Sequence, residues 1–190
     1  MRMKSLLIAV PLALAAPAFG QAPPDPSALI AAQREAMAPL AAMDGAWRGT
    51  AWTITPGGRH DVVHTERVGP FLGGSVKVVE GRAYLPDGKI GFNAFATISY
   101  DPQRKIYVMH SYAMGRAGDF VLDVKPDGYV WQVPAGPGAI IRYTATIGNG
   151  TWREVGDRIV GDRPPMRIFE MNLKRIGDTS WPEAEPVPMR

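Results

Sequence analysis

In Ile90-Gly91-Phe92-Asn93-Ala94-Phe95-Ala96-Thr97-Ile98-Ser99-Tyr100, apolar side chains recur at every second position. Phe92, Ala94, Ala96, Ile98 and Tyr100 share one parity, and Asn93, Phe95, Thr97 and Ser99 share the other. A period of two describes a β-strand with one face toward a core. Arg167–Ile176 repeats the pattern, with Phe169, Met171 and Leu173 on one side and Glu170, Asn172 and Lys174 on the other. Arg175 closes the apolar row, which places a cation that needs a partner at its end.

Outward from these two segments the same grammar continues. Short runs rich in β-branched and aromatic residues cover Ala46–Ile54, Asp61–Phe71, Ser75–Leu85, Ile106–Ala113, Phe120–Lys125, Tyr129–Val133, Ile140–Ile147 and Trp152–Val160. Turn formers separate them, among them Pro56-Gly57-Gly58, Pro86-Asp87-Gly88, Pro126-Asp127-Gly128 and Asn149-Gly150. Strands joined this tightly pair as antiparallel hairpins, because parallel pairing needs long crossovers. About ten sequential strands predict an all-β, antiparallel up-and-down barrel, since closure removes both exposed edges. Ahead of the first strand, Asp25-Pro26 reads as an N-cap followed by proline at the first helical position. It opens a short N-terminal helix that Pro39 ends or kinks, with Leu40–Met43 as one further turn.

The first residues read differently. Arg2 and Lys4 precede an apolar run from Leu6 to Ala16, and Ala18-Phe19-Gly20 puts small residues at a cleavage site. This is the pattern of a secretory signal peptide. The run is shorter than the roughly 20 residues of a membrane span, so no stable membrane anchor is expected. The domain plan is therefore a signal peptide over 1–20, a linker and helix over 21–43, the barrel over 44–177 and a proline-rich tail over 178–190. Without its two signal cations the chain falls from a net charge of +3 to about +1. No basic stripe remains for nucleic acid. The chain has no cysteine, which excludes a disulfide scaffold, a thiolate metal site and a cysteine nucleophile. The expected location is periplasmic or secreted, in a bacterium.

Gly45-Ala46-Trp47 adds a G-x-W at the start of the first strand, and Arg175 lies on the last. With Phe71-Leu72-Gly73-Gly74, Ser99-Tyr100-Asp101-Pro102 and Leu173-Lys174-Arg175, this order resembles the bacterial lipocalin-like (calycin-type) domains of unknown function numbered 1579. It is more distantly similar to nitrobindins. The resemblance implies a barrel with a ligand cavity, and a structural pair in which Arg175 packs against the Trp47 indole beneath the floor. Nitrobindins hold haem through a histidine near the C-terminus. Here the last histidine is His110, so haem is not carried over and no cofactor is implied.

Chemistry-bearing residues are few. His60 and His64, four apart on a strand, stand roughly 13 Å from each other and cannot chelate one ion alone, so no metal site is expected. His64 and Glu66 share a face, which makes them lumen groups if that face is internal and ordinary surface if it is external. His110, on one face with Val108 and Tyr112, is the candidate to orient a ligand or move a proton. Arg142, in a polar row with Ile140, Thr144 and Thr146, would suit a carboxylate ligand if it faced inward. The candidate ligand-binding set is thus His64, Glu66, His110, Tyr112 and Arg142. The five tryptophans read as core and floor packing, the alternative being a sugar platform on a sandwich. The expected function is binding of a small apolar or amphipathic molecule. The alternatives are an enzyme using His110 with Glu66, Glu80 or Glu154 as acid and base, and a haem or nitric-oxide protein.

Overall fold

The computed structural model describes residues 25–183 and 188–189; the expected signal peptide and the start of the linker lie outside them. Ten antiparallel strands form a closed barrel in which each strand pairs with its sequence neighbours and β1 closes on β10. They are β1 (Gly45–Thr55), β2 (Gly58–Phe71), β3 (Val76–Tyr84), β4 (Ile90–Asp101), β5 (Ile106–Ala113), β6 (Arg116–Lys125), β7 (Gly128–Pro134), β8 (Ala139–Gly148), β9 (Thr151–Val160) and β10 (Met166–Gly177). Every expected strand is present, with ends shifted by a few residues.

Helix α1 (Pro26–Met37) starts where the cap predicts, with Asp25 Oδ1 accepting the Ser27 N–H at 3.1 Å. Pro39 tightens the chain into a 3₁₀ segment, Ala38–Met43. Tyr107 donates its hydroxyl hydrogen to the Ala36 carbonyl at 2.6 Å, and Gln33 reaches the Tyr100 carbonyl at 3.0 Å. These bonds hold the helical segment across the barrel end where β1 begins. Among the described residues no helix is long and apolar enough to cross a membrane.

That end is plugged. Leu40, Met43, Trp47, Val68, Ile98 and Trp152 are each at most 2% exposed. The Trp47 and Trp152 rings meet edge to face at 5.7 Å, and Trp152 meets Tyr129 the same way at 6.5 Å. Each such buried side chain contributes about 1.5–3 kcal/mol of transfer free energy. The Trp47 indole N–H donates to the Met43 carbonyl at 2.8 Å, so this buried donor is satisfied. At the closing seam, Gly49 faces Leu173, and a Cβ on Gly49 would sit 2.0 Å from the Asn172 carbonyl oxygen. Only glycine lets β1 and β10 approach this closely.

The expected indole–guanidinium stack needs correcting. Arg175 pairs with Trp47 in the ladder, but its guanidinium lies beside Gly45. Its Nε donates to the Asp44 carbonyl at 3.1 Å and a terminal nitrogen bonds the Asp178 carboxylate. Trp47 instead packs on Trp152, because the floor is filled by rings from β1, β7 and β9. The cation–ring contacts among the described residues are Arg59 over Trp52 and Arg67 over Trp181, both at 4.5 Å. The second of these lays the first residues of the expected tail along β2.

Candidate functional site

The ladder registers settle which parity faces inward. Paired residues in antiparallel strands project to the same side. Trp47 pairs with Glu66, Gly49 with His64, Glu66 with Gly81, and Gly81 with Ala94. The same row continues through Ala113, which pairs with Ala94. On the other side of the barrel, Trp131 pairs with Tyr143, Tyr143 with Gly156, and Ala145 with Glu154. The packed floor fixes this shared face as the interior, so His64, Glu66 and Glu154 all point into the lumen.

His110, Tyr112 and Arg142 do not. His110 pairs with Thr97 and Asp119, on the row opposite to Met109 and Ser111. Its side chain is 47% exposed and bonds Asp119 at 2.6 Å. It borders an outer concavity of about 660 Å³ beside α1, together with Leu29, Gln33 and Val121. Tyr112 is 55% exposed and packs against Phe95 on the outer wall. Arg142 pairs with Gln132 and Asp157 on the outer row and is exposed. As lumen ligands these three are corrected: β5 carries polar groups on both faces, so alternation alone did not orient it, and in β8 the polar row that holds Arg142 is the outer one. With His110 outside, the geometric basis for it as a lumen acid–base group or haem ligand is gone. Glu80 also lies outside, between Arg67 at 2.6 Å and Arg82. The sandwich reading fails on closure of the sheet.

Inside, a compact polar cluster stands on the floor. His64 Nε2 and Glu66 Oε1 are 2.8 Å apart, with side chains 6% and 12% exposed. Gly81 makes room for this carboxylate, since a Cβ there would lie 2.6 Å from Glu66 Oε1. Glu154 accepts the Trp131 indole N–H at 2.9 Å and the Tyr129 hydroxyl at 3.1 Å. Burial pushes its carboxyl up to about 7; the two donors and His64 pull it down, and Glu66 pushes it further up. Burial likewise pushes the Tyr143 phenol to about 12, with Glu154 adding to the shift, and holds Tyr129 well above its ordinary value. Two buried polar atoms of this cluster lack a hydrogen-bond partner, Glu66 Oε2 and Trp152 Nε1. Among the described residues no three histidine, aspartate or glutamate side chains converge to hold a metal.

Above the cluster the lumen changes character. Ala83, Ala94 and Ala113 present small side chains on one wall, while the room beside Gly81 and Gly118 is taken by the Glu66 carboxylate and the Phe120 ring. Facing them is an aromatic arc. Trp131 stacks on Tyr143 at 4.4 Å, with Phe120 at 5.2 Å from Trp131 and Phe169 at 5.8 Å from Tyr143. These lumen-facing rings are only half-buried, unlike the floor. The wall is also incomplete here. The β6–β7 ladder pairs Asp123–Lys125 with Gly128–Val130 and stops, leaving Phe120 and Trp131 on strands not joined at that level.

Glu154 enters the sequence reading only as an acid–base partner for His110, Trp131 and Trp152 only as packing residues, and Tyr129 not as a site residue at all. The available signal was parity: Trp152, Glu154 and Gly156 alternate, so an acid shares its face with a core indole.

Fold and site together define a closed ten-stranded antiparallel barrel with a buried acidic cluster beneath an aromatic lumen. No family model and no curated protein matches the chain. Among solved structures it is similar to Rv2717c from M. tuberculosis, with a TM-score of 0.54 and 12% identity, over 75% of this chain and 96% of that one. A likeness at this identity carries the barrel fold alone.

Proposed function

We propose that this is a lipocalin-like carrier, exported to a bacterial periplasm or beyond, that holds a small, mainly apolar ligand in the upper lumen. One observation supports the reading above others: small side chains on β3–β5 face half-buried aromatic rings on β6–β10 inside the barrel. Barrels of this strand number hold a ligand where side chains do not fill the interior. The rings supply apolar contact, and the break in the β6–β7 ladder offers a way in. The resemblance to calycin-type domains points the same way.

Native mass spectrometry of the purified protein, with titration of the neutral fluorophore N-phenyl-1-naphthylamine, tests this. Binding should be saturable and enhance fluorescence. Ala94→Phe should weaken it about tenfold by filling the lumen, with little change in melting temperature. No adduct and no enhancement in the native chain would overturn the reading.

A further inference from the structure

We propose that the ligand is an organic cation, a protonated amine on an apolar body, with its ammonium at Glu66 and Glu154 and its body along the aromatic arc. This rests on the carrier reading above and names the ligand's head group. Three observations carry it.

Hydrogen-bond capacity comes first. The four carboxylate oxygens of Glu66 and Glu154 receive donors from His64, Trp131 and Tyr129, and Glu66 Oε2 receives none. An ammonium offers three donors and no acceptor, which fits a site rich in unused lone pairs. The second observation is charge. Two carboxylates and one imidazole leave negative charge in excess once Glu154 ionises. The lumen-parity cations do not answer it. Lys77 is held by Asp44 at 2.5 Å, Arg175 by Asp178, and Arg116 and Arg158 stand at the rim without a bond to either glutamate.

The third is the wall. Trp131, Tyr143, Phe120 and Phe169 present ring surface next to the acids, the pairing that recognises alkylammonium groups. Arg142, the residue that would have favoured an acidic head, lies outside.

Calorimetric titration of the full chain at pH 8 with 4-phenylbutylamine, 4-phenylbutanol and 4-phenylbutyrate decides the matter, since the three share one body. The amine should bind at least about tenfold more tightly than the alcohol, and the acid most weakly. Glu66→Gln should erase the amine's advantage and leave the alcohol within about threefold. If that variant fails to fold, the ranking in the native chain still decides. An alcohol or acid that equals the amine overturns this inference and leaves the carrier reading standing. If none of the three binds, both readings fall.

Discussion

The two halves of the lumen are built from the same strands and behave as different materials. Below, Trp47, Trp152, Leu40 and Met43 interlock until nothing is exposed, and the one polar atom of Trp47 is matched to a carbonyl. Above, the same inward rows carry alanine and glycine opposite half-buried rings, and at their junction three ionisable groups stand where apolar packing would be more stable. The floor follows the rules of a well-specified core but for one, the unpartnered Trp152 N–H. The upper half breaks several of them at once, and such local violations concentrate where a protein keeps a site.

The difference should show first in stability. Trp47→Ala removes a fully buried ring and should cost about 3–5 kcal/mol in urea unfolding. Phe92→Ala, from the half-buried upper lumen, should cost about 1–1.5 kcal/mol. Equal losses would mean that both halves are packed alike, and the distinction would break.

Glu154 sharpens the comparison by its sign. Its carboxyl is raised to about 7 from an ordinary 4.5. Between those values the native protein keeps a proton that the unfolded chain has released, so stability is complete at low pH and is lost as pH rises through about 7. The loss is on the order of 3 kcal/mol by pH 8. Glu154→Gln keeps the Trp131 bond, lets the Tyr129 hydroxyl turn to the amide, and removes the charge. Unfolding at pH 5 and pH 8 should show a much flatter pH dependence in the variant and a gain over the native chain at pH 8. A variant as pH-sensitive as the native chain would place the titration elsewhere.

How far the sequence carries a reader differs between the halves for the same reason. The β4 row from Phe92 to Tyr100 contrasts apolar with mostly polar residues, so its inner face was readable before any register was known. Turn residues punctuated all ten strands. In β5 the contrast vanishes. Tyr107, Met109 and Ser111 point in, Val108, His110 and Tyr112 point out, and neither row is the more apolar. Orientation there depends on pairing across the barrel, which no single strand encodes. His64 and Glu66 could be paired by spacing but not placed inside or outside. Glu154 needed its parity with Trp152 to be placed inside, and its partners Tyr129 and Trp131 come from another strand.

Arg175 is the smallest and most instructive case. The resemblance to lipocalin-like domains set it against the Trp47 indole, and the ladder does bring the two residues opposite each other. The side chain nevertheless turns to Asp178 and the Asp44 carbonyl, and 36% of it meets solvent. An exposed guanidinium with an exposed acid partner contributes less than about 1 kcal/mol, where a stacked and desolvated one would contribute about 2. Arg175→Ala should therefore shift the urea midpoint only slightly and leave the Trp47 fluorescence maximum in place. A large loss, with that emission moving to the red, would mean the floor is capped by the cation after all. The boundary between packed and open lumen would then extend one layer lower, to include the Arg175 guanidinium in the plug.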